Sequence, residues 1–196
     1  VRGGAIGRVV QTLGLGPHRQ NLKTRPDWFF DSARFGGILC DIGSHQIDQF
    51  LHFTGSTGAE VSHALVENTT MPAHPGFQDF GEMVLRSDKG HGYVRVDWFT
   101  PDGLPTWGDG RLFLQGTEGQ IELRKYTDIG RPHVTDTLLL VNGRTNELIP
   151  CADAGLPYFA NLVADVEDRS ETAVPQAHTF TTMDLAIRAQ YKAEGK

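Results

Sequence analysis

The chain has 196 residues, of which 39% are hydrophobic and 21% are charged, with a formal net charge of -6 and a pI near 5.7. This composition is typical of a globular protein, and the excess of acidic residues argues against nucleic acid or an anionic membrane as the main partner. No apolar run approaches the roughly 20 residues needed to span a bilayer. We therefore expect a soluble, cytoplasmic protein with a small polar ligand.

The two cysteines, Cys40 and Cys151, are too few and too far apart to indicate a disulfide framework or a cysteine-based zinc site. We expect both to be reduced and buried. The chain begins at Val1 rather than at a methionine and enters a predicted strand at residue 8. These features predict a piece of a longer polypeptide.

The first predicted element is a strand over residues 8–16, followed by a polar loop over residues 17–23. An aromatic cluster then precedes the glycine pair Gly36-Gly37. The cluster consists of Trp28, Phe29 and Phe30. Adjacent aromatic residues in a loop most often pack into a core, so this cluster is expected to pack against the following helix.

A helix with an ordered polar stripe follows the glycine pair. The stripe consists of Asp41, His45, Asp48 and His52. These positions fall at i, i+4, i+7 and i+11 on one face, and apolar residues fill the rest, which is typical of a helix buried against a core. Gly43 costs about 1 kcal/mol relative to alanine in a helix, so a close contact is expected there. Asp41 and His45 can hydrogen-bond each other, or both can reach outward to one ligand.

The middle of the chain alternates between apolar and polar residues, with turn sequences between the runs. The predicted strands cover residues 60–67, 80–86, 92–99, 111–115, 120–124, 137–141 and 147–150. The period then changes to that of helices over residues 156–168 and 178–193. Their apolar sides consist of Phe159, Leu162, Val163 and Val166, and of Phe180, Met183 and Ile187. This order predicts an α+β fold, with an open, mostly antiparallel sheet and helices packed on one face.

The run Gly-Gly-Ile-Leu-Cys-Asp-Ile-Gly-Ser-His over residues 36–45, with Ile47-Asp48 behind it, resembles the signature of the Gfo/Idh/MocA oxidoreductase family. Weaker matches are Ala5-Ile6-Gly7 and residues 110–119 and 186–189. Members have an N-terminal nucleotide-binding domain and a C-terminal domain with an open sheet and helices on one face. The chain resembles the C-terminal domain. The resemblance implies that residues 1–196 form a single substrate-binding and oligomerisation domain, with the Rossmann domain outside this chain.

The resemblance also implies roles for individual residues. His45 would move the hydroxyl proton of the substrate, and Asp41 would orient the imidazole or the substrate and keep His45 basic. His18 and Arg19 are either ordinary surface residues or substrate contacts, and Arg19 suits hydroxyls or a carboxylate. Trp28 is either part of the aromatic packing or a wall on which a sugar ring stacks.

Nothing in the sequence supplies a nucleotide site. Gly14-Leu15-Gly16 lacks a third glycine, runs into Pro17 and opens no helix, so it is not a dinucleotide fingerprint. The family's lysine from the nucleotide-binding domain has no counterpart. The resemblance implies NAD or NADP held mainly by the other domain, with cofactor-binding residues here unknown and this chain inactive alone.

Three functions remain open. The first is the substrate-binding domain of an NAD(P)-dependent oxidoreductase acting on a sugar, polyol or related carbinol. The second is a non-catalytic module that forms a homo-oligomer through its sheet face. The third is a metal-dependent hydrolase or isomerase, for which Asp41, His45 and His52 would be the ligands. The histidines are otherwise scattered, so no metal site is predicted.

Overall fold

An open sheet of eight strands forms the centre of the fold in a computed structural model that describes residues 1–131 and 134–196. The strands are β1 Val9–Pro17, β2 Glu60–Glu67, β3 Phe80–Arg86, β4 His91–Asp97, β5 Arg111–Gly116, β6 Gly119–Arg124, β7 Thr137–Asn142 and β8 Asn146–Pro150. Their order is β2-β3-β4-β1-β5-β6-β7-β8. Every neighbouring pair is antiparallel except β1 and β4, which run parallel. The predicted open, mostly antiparallel sheet is confirmed.

Within the described residues, five α-helices and two short 3-10 helices accompany the sheet. They are the 3-10 helices Leu22–Thr24 and Asp27–Phe30, and the helices α1 Ser32–Phe35, α2 Ile38–Asp41, α3 Gly43–Thr54, α4 Tyr158–Asp168 and α5 Gln176–Ala193. Helix α3 packs over β1 and β4, α2 over β3, and α5 over β2. The α+β fold with helices on one face is therefore confirmed. The single striped helix expected from the sequence is interrupted at Ile42, which divides it into α2 and α3.

The main core lies between these helices and strands β2, β3 and β4. It contains Phe50 of α3, Met83 of β3 and Val94 of β4, each almost completely buried. A smaller cluster beside it covers β5 and β6 and includes Ile6 and Leu112. Phe29 is buried in the main core, as the aromatic cluster predicted.

The apolar sides of the last two helices are largely exposed and are not packed on the core. In α4, Phe159 is 72% exposed and Val166 is 67% exposed, because α4 has no extensive packing against another helix or strand of the described chain. In α5, Phe180 is 70% exposed, and the face packed against α2, α3 and β2 instead carries Leu185, Ala186 and Ala189. Small side chains allow the helices to approach closely, so the buried side of α5 is not its bulkiest side.

Neither cysteine is disulfide-bonded, and both are half-buried rather than buried, since Cys40 lies at the edge of the main core and Cys151 follows β8. No helix in the described part of the chain is long and apolar enough to cross a membrane.

Candidate active site

The candidate site lies where the two parallel strands end together. Pro17 at the end of β1 is paired with Asp97 at the end of β4, and the backbone N–H of His18 donates to the Asp97 carbonyl at 2.8 Å. Because the carboxyl ends of parallel strands meet at one edge of a sheet, the residues that follow them, His18 and Trp98, are neighbours. Their rings are 5.5 Å apart between centroids.

His18 is held in one orientation. Its Nδ1 lies 3.0 Å from the Gly16 carbonyl, and its ring packs 4.4 Å from that of Trp107. A carbonyl only accepts, so Nδ1 carries the hydrogen and Nε2 of the neutral ring keeps its lone pair. Burial lowers the pKa of His18, although the Gly16 hydrogen bond and the charge of Asp41 partly offset it. Neutral His18 therefore presents an acceptor at Nε2.

Asp41 and His45 come from either side of the break between α2 and α3. The His45 N–H donates to the Ile42 carbonyl, three residues back rather than four, so the turn that joins the two residues is tighter than an α-helical turn. Both side chains are exposed. Neither makes a side-chain hydrogen bond to another described residue, so the hydrogen bond between them that the spacing allows is not formed.

The charges of this site act on one another. Partial desolvation raises the pKa of the Asp41 carboxyl, and the nearby His18, Arg25 and His45 oppose that rise. The pKa of His18 likewise responds to the charges of both Asp41 and His45. Although Asp41 keeps contact with solvent, the surrounding protein disfavours its charge. His18, Asp41 and His45 are therefore close enough for their charges to influence one another.

Glycines beneath the helices let them lie directly on the sheet. A Cβ on Gly14 of β1 would come within 2.7 Å of Gln46, and one on Gly81 of β3 within 2.8 Å of Ile38. The close contact expected at Gly43 is with the Met83 side chain, whose Cε would lie 2.8 Å from a Cβ at that position. Gly43 therefore serves packing against the sheet and not contact with a ligand.

Side chains from two other elements fix the start of α2. The backbone N–H of Ile38 donates to Gln78 Oε1 at 3.1 Å, and that of Leu39 donates to Gln190 Oε1 at 3.2 Å. The Gln190 amide in turn donates to Gln78 and to Glu194. These bonds satisfy N–H groups that a helix start leaves without partners, and they fix the short helix that ends at Asp41.

The remaining predicted contacts lie at the rim. The Arg19 guanidinium donates to the carbonyls of Pro101 and Leu104, so it ties two loops together. These loops line an adjacent cavity of about 620 Å³, formed by residues 19–24 and 98–102. Trp28 is 44% exposed, with its ring edge-on to Phe29. Substrate contact by Arg19 or Trp28 stays a prediction.

Arg25 is a member of the site that the sequence did not single out. Its guanidinium carbon lies 4.3 Å from the Phe29 ring centroid and 4.8 Å from that of Trp98. Its charge acts on Asp41. In the sequence, only its position just before the aromatic cluster could indicate that Arg25 belongs to the site. This indication is weak, because the contact with Trp98 joins two loops that are distant in the sequence. The candidate site consists of His18, Arg25, Asp41, His45 and Trp98.

The rest of the polar stripe does not join the site. Asp48 accepts a 2.6 Å bond from His178 of α5, and His52 lines a different, apolar cavity of about 580 Å³ next to Phe53 and Leu112. Within the described residues, no group of three or more His, Cys, Asp or Glu side chains is arranged to hold a metal ion. Asp41, His45 and His52 therefore form no facial triad.

Family membership follows from comparison with known proteins. Residues 1–122 match the GFO/IDH/MocA C-terminal domain, so the chain belongs to the Gfo/Idh/MocA family, as its sequence predicted. This is a family of oxidoreductases. No protein of curated function matches the chain.

A proposed oxidoreductase from Erwinia carotovora atroseptica SCRI1043 is 48% identical, with a TM-score of 0.94 over 98% of this chain and 58% of that one. An oxidoreductase from Agrobacterium radiobacter, in complex with NAD+, L-tartaric acid and magnesium, is 17% identical, with a TM-score of 0.72 over 100% and 58%. Levoglucosan dehydrogenase with NADH is 15% identical, with a TM-score of 0.72 over 99% and 59%. The last two show likeness of fold alone. The chain thus spans under two thirds of each relative.

Proposed function

We propose that this chain is the substrate-binding domain of an NAD(P)-dependent oxidoreductase that acts on a sugar, polyol or related hydroxyl compound. The observation that supports the proposal is the electrostatic interaction of Asp41 with His45 and with His18, which follows the carboxyl end of β1. All three have polar atoms with no protein partner among the described residues, as a site for a hydroxylated ligand requires.

In the proposed reaction, His45 accepts the proton of the substrate hydroxyl while the carbon that bears this hydroxyl is oxidised. The nearby charge of Asp41 favours the imidazolium that results. His18 accepts a hydrogen bond from a second hydroxyl through Nε2 and so orients the substrate. A nicotinamide held mainly by the other domain would accept the hydride from the same carbon.

The nucleotide is expected to lie mainly on another domain. Gly14 and Gly16 lie inside β1 and face Gln46, so they form no phosphate-binding turn in this chain. The longer relatives, one of them with NAD+ and one with NADH, support a nucleotide-binding domain outside the residues matched here. The choice between NAD and NADP, inactivity of this chain alone, and the cytoplasmic location remain predictions.

The test is substitution of His45 in the polypeptide that carries both domains. We expect His45→Ala to lower kcat by about 10²- to 10⁴-fold, the usual contribution of a general base. His52→Ala is the matched control, since it removes an exposed histidine from the same face of α3 at a cavity away from the site. Unchanged turnover in the His45 variant would remove this residue from the mechanism.

A second function, homo-oligomerisation through the sheet, is supported by the face that the helices leave uncovered. Leu13 of β1 is paired with Tyr93 of β4 on one side and with Phe113 of β5 on the other. All three side chains are half-buried, on the face opposite the helices. An apolar strip of this kind suits a second copy of the same sheet. This role is compatible with the oxidoreductase function.

A further inference from the structure

Arg25 carries a positive charge at the candidate site and forms no ion pair with any residue in the described part of the chain. Its Nε donates to the Gln20 carbonyl at 3.0 Å, and this is the only hydrogen bond of the side chain among the described residues. No carboxylate of the described chain lies within 4.0 Å of it as an ion-pair partner, in contrast to Arg95, which pairs with Asp97 at 2.9 Å. The terminal nitrogens therefore remain available to a ligand.

The guanidinium is also fixed in place. It lies over the rings of Phe29 and Trp98, which are 4% and 5% exposed and belong to the main core. Stacking on two rigid rings restricts the side chain before a ligand arrives, so less entropy is lost on binding.

Arg25 lies close to the residues that are proposed to contact the substrate. Arg25 and His18 both contact the ring of Trp98, and both act electrostatically on Asp41. The guanidinium is therefore close enough to act on a ligand that binds at His18 and Asp41. The other nearby arginine, Arg19, is occupied with loop carbonyls. The site therefore offers one planar cation, which suits the two oxygens of one carboxylate.

We propose that Arg25 binds a carboxylate of the substrate, so that the preferred substrates are hydroxy acids such as sugar acids rather than neutral sugars or polyols. This inference rests on the proposed oxidoreductase function and adds the substrate class to it. A single arginine beside the Asp41 carboxyl favours a singly charged group over a phosphate, which carries more charge and is usually met by several donors.

The test compares D-gluconate and D-glucuronate with D-glucose, sorbitol and glucose 6-phosphate, using the polypeptide that carries both domains. We expect the acids to have the highest kcat/KM. Arg25→Met should lower kcat/KM for the acids by about 10- to 100-fold, mainly through KM, as expected for a lost charge-assisted hydrogen bond. The neutral compounds should lose clearly less kcat/KM than the acids, because they do not pair with the charge.

Two further variants separate charge from structure. Arg25→Lys keeps the charge without the planar fork and should restore part of the preference for acids. Arg34→Met is the matched control, since it removes an exposed arginine from α1. The proposal is overturned if neutral or phosphorylated compounds are preferred, or if Arg25→Met slows acids and neutral compounds equally. Turnover of none of the compounds would contradict the proposed function itself, and the acid preference would fall with it.

Discussion

Single residues of the site differ in how far the sequence reveals them. Asp41 and His45 were predicted because their helical spacing and the family motif both depend on short stretches of chain. Arg25 was not, because its role comes from contacts with Phe29 and Trp98, and Trp98 reaches it only after β4 folds beside β1. Local patterns indicate the proposed catalytic residues, whereas the charge that surrounds these residues is set by long-range packing.

Asp41 gives a residue-scale prediction about pH. Its pKa is raised in the folded chain, mainly by desolvation, so its contribution to stability is present below its ordinary value of 3.8 and is lost as the pH rises through the folded value. The charged carboxyl thus destabilises the fold at neutral pH. We expect Asp41→Asn to raise the free energy of unfolding at pH 7 by roughly 0.5 kcal/mol or less, because solvent screens an exposed group.

Urea denaturation across pH measures this effect. The gain in the Asp41 variant should shrink as the pH falls toward 3.8, because wild-type Asp41 is then protonated. Asp88→Asn, in the exposed turn between β3 and β4, is the control for loss of a charge. A variant less stable than the wild type at pH 7 would show that the Asp41 charge stabilises the fold.

At the scale of elements, the strands were predicted well because alternation and turn residues act locally. The break at Ile42 was missed because the apolar pattern runs through it without interruption. The buried side of α5 was missed for another reason. Apolar bulk predicted a face with Phe180, but α5 packs through Ala186 and Ala189, where neighbouring helices come close. Periodicity predicts where a helix lies, whereas the elements that pack against the helix determine which of its sides is buried.

The close packing of α2 on β3 gives a prediction at the scale of one element. A Cβ on Gly81 would lie 2.8 Å from Ile38 Cγ2 and 2.9 Å from Leu39 Cδ2, both in fully buried side chains. Gly81→Ala should therefore push α2 from the sheet, lower the free energy of unfolding by about 1–3 kcal/mol, and move Asp41. Denaturation and turnover measure the two effects.

Gly58→Ala is the control, because a Cβ there meets nothing within 4 Å. It should leave both the free energy of unfolding and turnover near their wild-type values. If Gly81→Ala also leaves the free energy of unfolding and turnover unchanged, the close packing of α2 on the sheet does not determine the position of Asp41.

At the scale of the whole molecule, the uncovered sheet face predicts self-association. Phe113 lies half-buried in its middle strands, next to Leu13. We expect the wild-type chain to sediment as an oligomer and Phe113→Glu to sediment as a folded monomer, since a charge would be buried between two sheets. Ile129→Glu, at a residue 66% exposed between β6 and β7, should leave the assembly intact. A monomeric wild-type chain at high concentration would contradict this prediction.

The exposed side of α4 predicts a contact with the proposed nucleotide-binding domain. Its Phe159, Val163 and Val166 are 72%, 58% and 67% exposed, although a helix with this pattern usually packs on a core. The part of the longer relatives that lies outside the match is the proposed partner. Asp165, which is 7% exposed, fixes the following turn by accepting from Ser170 and Thr172, so α4 is held at one end while its apolar side stays open.

Amide hydrogen exchange tests this contact. In the chain alone, α4 should exchange far faster than α3, because few tertiary contacts protect it. In the polypeptide that carries both domains, α4 should become protected, and Val166→Asp should restore fast exchange in α4 while leaving α3 unchanged. If α4 exchanges equally fast in both polypeptides, the nucleotide-binding domain does not cover it, and its apolar side serves another partner.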